Sequence, residues 1–496
     1  MCVTSISSTV KKVLLPNEIT AAVPDLKSSG PTSSEILHVG LLAVVAIVVL
    51  FTDSATKELH GTAVFYASLI RELLESGDPM LIYSDERAYL LKPPLVVWLS
   101  ALTSKILGLS NFSVTFISRL AGVGVVLLTY ALFRRWWSHA VAWLAAFAVL
   151  TNSTFVQFTA TLRMDSLMML GLMMSLVGWA YREKPWCWAA IFGGVTVAVL
   201  SKGPLGFAAI PLIVAHAALT RQSPFRRQMW WWSVLLLPIA LWYASLVNIH
   251  GLKPFTELGA DAARSTAMPQ WDIWQSAYQE YVVKPARRYW PWLPLMLIGT
   301  GLALRRLWDT DLCKELRATY LWLFVWLLAV IIGAVLKPDH DIRYLYLGLP
   351  VLGLFSALTI GNWTQNRFAT WFPLGLLSLT VALIVVPRDP AWRAHDTRAT
   401  IEQINHSLIP NTVIHAIGGY PVPAGQARRQ NTHRDWIHFY TGRTPTVLSW
   451  DQTQDNPPAF GNGIFLTLSR GHEARLEQFG LQKIFTTNEM IFALPQ

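Results

Sequence analysis

The stretch from Asp53 to Pro94 leaves the first apolar segment of the chain and stays polar in a sequence that is otherwise strongly apolar. It carries carboxylates at Asp53, Glu58, Asp78, Asp85 and Glu86 and ends in Tyr89-Leu90-Leu91-Lys92-Pro93-Pro94. Directly after a membrane anchor, so long a polar excursion serves some purpose other than spanning lipid.

The chain has 496 residues, of which 53% are hydrophobic and 14% charged, and its mean hydropathy is +0.38. Soluble domains are about one quarter charged, so this composition predicts a polytopic α-helical membrane protein. The formal net charge of +10 comes from basic pairs scattered between apolar runs. It forms no continuous basic stripe, which argues against nucleic acid as a partner. The three cysteines, Cys2, Cys187 and Cys313, make a disulfide framework an unsuitable reading, because the last two sit beside basic clusters. Residues 1–35 are polar, with Lys11, Lys12 and Lys27 ahead of the apolar run, and read as a cytoplasmic tail before an uncleaved anchor.

The first span is Ile36 to Thr52, near the lower limit of about 17 residues for crossing the hydrocarbon core. Gly61 to Glu75 reads as an amphipathic helix suited to the membrane interface, closed by Ser76-Gly77-Asp78-Pro79. Pro94 to Leu109 is apolar enough to cross, but a crossing here would place Arg134 and Arg135 outside. Read as a re-entrant or interface-lying helix, it lets the later basic clusters fall inside in turn: Arg134-Arg135, Arg182 with Lys184, Arg221 with Arg226 and Arg227, Arg305-Arg306 and Arg367. The result is about eleven crossings that obey the positive-inside rule.

That topology also brings Asp53, Lys92, Asp165, Lys202, the loop from His250 to Tyr289 and the cluster from Lys337 to Arg343 out on one side. For any one of them the plainer reading is a solvated or snorkelling charge at a helix end. Their convergence on one face marks a site. Residues 36–387 form the predicted membrane domain, with residues 53–113 as its first outer loop. In residues 388–496 Gly, Pro, Asn, Thr and Arg rise and short β-rich runs (Thr412 to Ile417, Thr446 to Trp450, Gly463 to Leu468, Met490 to Leu494) alternate with helical stretches. This predicts a small extracytoplasmic α/β domain.

Several motifs bear on what the site does. Leu73-Leu74-Glu75-Ser76-Gly77-Asp78 is followed by Tyr89-Leu90-Leu91-Lys92-Pro93-Pro94, Arg163-Met164-Asp165-Ser166-Leu167, Leu200-Ser201-Lys202-Gly203-Pro204, Tyr289-Trp290-Pro291-Trp292-Leu293-Pro294 and Arg343-Tyr344-Leu345. In this order they resemble the bacterial aminoarabinose lipid A transferases and the protein O-mannosyltransferases, within the C-type superfamily of polyprenyl-phosphate-sugar-dependent glycosyltransferases. The resemblance runs from about Ile36 to Ile360. It implies a folded extracytoplasmic first loop with juxtamembrane helices, a lipid-phosphate sugar donor, and carboxylates in the first and second outer loops. It also implies a bacterial inner membrane location with the site on the periplasmic side, and an envelope glycolipid, another glycan or a protein as acceptor. The chain departs from the pattern at one point. The register where family members carry an acidic residue holds Thr62 and Ala63, with Asp53 nine positions before Thr62 and Glu58 between.

Transfer from such a donor needs a carboxylate to take the acceptor proton and fixed positive charge for the leaving phosphate. Asp53 is the expected base and Asp165 the second catalytic carboxylate, although Asp165 could equally complement the dipole of the helix it starts. Lys92, Arg343, Lys337 and Arg264 are the expected donor-phosphate ligands. His340, between Asp339 and Asp341, is a weak candidate ligand for a divalent metal, with a surface loop the plainer reading. Two other classes stand beside the enzyme: a lipid-sugar transporter or flippase, which would place charges at the midplane of two related halves, and a relative that binds lipid-sugar without turnover.

Overall fold

The computed structural model describes residues 32–52, 59, 62–79, 83–84, 87–89, 92–223, 229–253, 255–256, 270–337, 340–361, 414–417, 432–443, 446–448, 464–467, 481–486 and 491–495. Asp53, Arg264 and Asp339 lie outside these residues, as does the apolar run Ala369 to Val386 that the sequence predicts as the last crossing. Most of what is described is apolar helix, and the chain is a multi-pass membrane protein. Leu37, Ile106, Trp230, Trp231 and Leu336 stand exposed on its outer surface, as lipid-facing side chains and interfacial tryptophans do.

The chain enters through α1 (Ser33–Phe51). The stretch after α1 then forms α2 (Thr62–Ser76), which ends at Gly77 with φ 71°, and a short antiparallel pair, β1 (Tyr83–Ser84) and β2 (Arg87–Ala88). The interface-lying expectation for α2 is corrected by its burial. Val64, Ala67, Ile70 and neighbours pack into a second core with Val96 and Val97 on one side and Trp436, Ile437 and Phe439 on the other. The amphipathic pattern was there; its partner was protein instead of lipid.

α3 (Leu95–Leu107) has 13 residues, about 20 Å at 1.5 Å per residue, well short of a hydrocarbon core of about 30 Å. It turns at Gly108 (φ 79°) into α4 (Asn111–Arg134), with Ser100 and Thr103 donating to the carbonyls of Val114 and Ser113 at 3.0 and 2.8 Å. The sequence treats Ser138 to Phe155 as one crossing, but the helix breaks. α5 (His139–Leu150) ends at Thr151, and Asn152 caps α6 (Ser153–Thr159) by accepting from Thr154 and Phe155 N–H, with a bend of 62° between the two. An Asn side chain offers the backbone a local partner that restarts a helix in a new direction.

α7 (Met164–Ala180) and α8 (Cys187–Lys202) form an antiparallel hairpin. Small residues set its spacing: Ser175 Oγ donates to the carbonyls of Gly171 and Ile191 at 3.0 and 2.9 Å, and a Cβ on Gly171 would lie 2.4 Å from the Gly194 carbonyl. Close backbone approach of this kind gives helices in lipid their dispersion contact, since no hydrophobic force separates them from the tails. The hairpin puts the start of α7 and the end of α8 at the same end of the bundle.

Among the described residues five helices are long and apolar enough to cross a membrane: Ser33–Phe51, Asn111–Arg134, Met229–His250, Lys314–Val335 and Ile342–Ile360; α5 with α6 makes a sixth if the bent pair is one span. The remaining apolar helices are shorter. In the C-terminal part a five-stranded sheet runs in the order β4 (Thr446–Leu448), β3 (Ile414–Ile417), β5 (Ile464–Thr467), β7 (Ile491–Pro495), β6 (Leu481–Thr486). Its first three strands are parallel and the last two pairings antiparallel. The helix Thr432–Thr441 joins it to α2: Ser68 Oγ and His438 Nδ1 lie 2.7 Å apart, and Arg71 donates to the Phe439 carbonyl at 2.9 Å.

Gly171→Ala should lower stability in detergent by about 1–3 kcal/mol, the usual cost of overpacking. Gly301→Ala, where a Cβ meets nothing within 4 Å, should leave the melting temperature unchanged or raise it slightly. Thermal melts of the two variants beside the unaltered chain check both.

Candidate active site

Asp165 lies in the first turn of α7 and Lys202 is the last residue of α8. The hairpin brings them into an ion pair, Lys202 Nζ on Asp165 Oδ1, with both side chains largely buried. The residue after Lys202 is Gly203 (φ 85°), and a Cβ there would lie 3.7 Å from the Pro93 ring. The Lys92-Pro93-Pro94 turn is thus packed against the end of α8, and Lys92 is half-buried there.

The third strand of the site is the turn Ile342–Gly348, a 3-10 helix whose start is capped by Asp341 accepting from Arg343 N–H at 2.9 Å. Glu280, on the segment before Lys284–Arg288, accepts from Ile342 N–H at 3.0 Å while paired with Lys284. Tyr344 gathers cations around one ring. Lys337 donates to its hydroxyl at 2.6 Å and Arg343 at 3.1 Å. Lys337, Arg343 and Lys202 stand 4.5, 5.1 and 5.9 Å from its centroid, where the ring quadrupole favours positive charge. Asp341 reaches Arg343 at 3.3 Å.

Two further groups join from other elements. Arg163 caps α7 with its guanidinium 4.8 Å from the Phe158 ring; burial lowers its pKa, while Asp165 acts to raise it and Arg343 to lower it. Tyr66, on α2, is buried against Tyr89. Burial raises the pKa of its hydroxyl, the hydrogen bond with Tyr89 lowers it, and the charges of Asp165, Arg343 and Arg163 all reach it. At pH 7 it is a neutral donor. Arg163, Lys202, Lys337 and Arg343 thus face Asp165 and Asp341, a local excess of positive charge at one end of the bundle.

Of the residues expected from sequence, the structure brings together Asp165, Lys337 and Arg343 and packs Pro93, the neighbour of Lys92, against Gly203 at the end of α8. Asp53 and Arg264 lie outside the described residues. His340 is turned to other work: its Nε2 lies 3.2 Å from the Val335 carbonyl and its ring stands edge-on to Tyr281. Among the described residues no group of three or more His, Cys, Asp or Glu is arranged to hold a metal ion. Tyr66, Tyr344 and Arg163 were not singled out from sequence as site residues. The last two fall inside motifs that were noted, and only Tyr66 left no signal, being one aromatic on an apolar helix face.

Removing one member of a largely buried ion pair strands the other. Asp165→Asn should cost about 3 kcal/mol of stability, and Asp165→Asn with Lys202→Met should recover part of that loss. Chemical or thermal denaturation of the single and double variants in detergent measures the coupling.

Residues 91–247 match the family described as dolichyl-phosphate-mannose-protein mannosyltransferase. Among curated proteins, the undecaprenyl phosphate-α-4-amino-4-deoxy-L-arabinose arabinosyl transferase 2 of Sodalis glossinidius is 24% identical over 410 residues, covering 78% of this chain and 72% of that one. The corresponding transferase of Shewanella sediminis is 22% identical, and the match spans 47% of this chain and 43% of that relative's length. Among solved structures, ArnT from Cupriavidus metallidurans bound to undecaprenyl phosphate superposes with a TM-score of 0.59 at 14% identity, covering 93% of this chain and 98% of that one. The oligosaccharyltransferase AglB of Archaeoglobus fulgidus gives 0.53 at 13% identity, covering 90% and 71%. The motif order, the family match over residues 91–247 and the shared fold agree: the chain is similar to the aminoarabinose lipid A transferases and the protein mannosyltransferases and shares the fold of ArnT.

Proposed function

We propose that this chain transfers a sugar from a polyprenyl-phosphate donor to an envelope acceptor, a lipid A-like glycolipid, another glycan or a protein, on the outer face of a bacterial inner membrane. The observation that carries the reading is the cation cluster around Tyr344 facing Asp165 at one end of the bundle. A leaving phosphate needs fixed positive charge in a poorly hydrated setting, already in place before the reaction. Arg343 and Lys337 are locked by Tyr344, and Lys92 precedes the Pro93 that packs on Gly203 beside Lys202. These three, with Arg264, are the proposed phosphate ligands.

In the proposed reaction the acceptor hydroxyl attacks the anomeric carbon, the bond from that carbon to the phosphate oxygen breaks, and the polyprenyl phosphate leaves with the electron pair. The hydroxyl proton passes to a carboxylate. Lys202 occupies Oδ1 of Asp165, which leaves Oδ2 to orient the acceptor and suits a positioning role. The proton itself is assigned to Asp53. The Sodalis relative is named for an undecaprenyl-phosphate sugar and the Cupriavidus structure holds undecaprenyl phosphate, which supports this donor class. The proposed topology has about eleven crossings, with the first outer loop, the site and a C-terminal α/β domain on the outer side. The basic residues Arg134, Arg135, Arg182, Arg305 and Arg306 at the opposite helix ends support it.

The test is transfer from a radiolabelled polyprenyl-phosphate sugar to an envelope lipid extract by purified protein in lipid. Arg343→Ala should raise the donor KM about 10- to 100-fold, the worth of one charge-assisted hydrogen bond. Asp53→Asn should cut kcat about 100-fold or more. Full activity in Asp53→Asn with loss in Asp165→Asn would move the base to Asp165, and donor binding without any transfer would leave a lipid-sugar-binding protein.

A further inference from the structure

Arg119 is a fully buried arginine on the ninth position of α4, well inside a membrane-crossing helix. An ionisable side chain at such a place is costly and calls for a function. None of the proposed chemistry uses it. It donates to two backbone carbonyls and one hydroxyl: Nη1 to the Leu50 carbonyl, Nη2 to the Ala160 carbonyl at 2.6 Å, and Nε to Thr115 Oγ1 at 3.0 Å.

Those two carbonyls are helix ends. Leu50 lies in the last turn of α1 and Ala160 is the C-cap of α6. Each end leaves carbonyls without intrahelical partners and carries the negative pole of its helix. A guanidinium set between two such ends meets both needs at once. Its planar fork suits the task and an ammonium does not, since Lys offers one point charge in place of a spread of fixed donors.

The segments that follow these ends are the ones that matter. Three residues beyond Leu50 is Asp53; five beyond Ala160 is Asp165. The second path is pinned again by the neighbouring residue, for Ser118 Oγ donates to the Arg163 carbonyl at 3.1 Å and accepts from Arg163 N–H at 3.3 Å. α6 is also tied to the cation turn, with Thr159 Oγ1 and Tyr346 OH 2.9 Å apart and Phe155 stacked on Tyr346. We infer that Arg119, seconded by Ser118, is a positioning residue that clamps the exits of α1 and α6 and, through the α6 exit, sets where Asp165 stands. This rests on the transferase reading for its catalytic consequence, though not for the clamp.

Two readouts test it. Arg119→Lys, which keeps the charge and loses the fork, and Ser118→Ala are purified in lipid and compared by backbone hydrogen exchange. Exchange should rise selectively at residues 160–165 in both variants, and also at residues 50–52 in Arg119→Lys; unchanged exchange there would overturn the clamp. In the transfer assay both should lower kcat, about tenfold or more for Arg119→Lys, with donor KM within about twofold. Combined with Asp165→Asn, Arg119→Lys should add little further loss, because the two act through one group. Full additivity, or a loss confined to KM, would refute the positioning role. If Arg119→Lys does not fold, Ser118→Ala decides by the same two readouts. If the unaltered protein transfers no sugar, the transferase reading fails and the exchange result alone decides the clamp.

Discussion

The Asp165–Lys202 ion pair is the contact on which the site depends. Both charges sit where water is scarce, so the pair is tolerated only if the helices that carry them are held at a fixed separation. The small-residue seam of Gly171, Ser175 and Gly194 supplies that separation. The turn before α7 then places Arg163, and the turn after α8 receives Pro93. One packing decision inside the membrane therefore fixes three stretches that are far apart in sequence, those around Lys92, Asp165 and Lys202.

A second consequence concerns repulsion. Lys202, Arg343 and Lys337 all lie within 6 Å of one ring, and like charges so close would spread apart in the absence of acceptors. The Tyr344 hydroxyl takes two of them, Asp341 reaches one and Asp165 holds another. The remaining excess of positive charge is what an anionic group would neutralise. Glu280, reaching the Ile342 N–H from a different element, anchors the turn without entering the cluster.

How much of this could be read from the sequence follows from how local each cause is. Asp165, Lys337 and Arg343 stand out in the sequence because each lies at the end of an apolar run, and Asp165 and Arg343 also fall in motifs whose order resembles a known family. The burial of α2 does not, since an amphipathic stripe looks the same whether lipid or Trp436 and Phe439 covers it. The break at Asn152 was hidden inside a run apolar enough to cross whole. The role of the Tyr344 hydroxyl between two cations is tertiary by nature. Arg119 escaped for the opposite reason: one arginine in an apolar helix looks like an isolated exception until the two helix ends that surround it are known.

The placement of charge along the helices bears on the class of activity. A transporter gathers its ionisable groups near the middle of the membrane, where alternating access can expose them to either side. Here Asp165 opens α7, Lys202 closes α8, and Arg343 stands at the start of the Ile342–Ile360 span. The cluster belongs to one membrane surface. A lipid phosphate can reach such a surface from the side, with its tail still in the hydrocarbon and its headgroup among the cations, and no crossing step is needed. Arg119 lies deeper, and it donates to the Leu50 and Ala160 carbonyls and to Thr115. This charge inside the bundle thus serves the geometry of those at its edge.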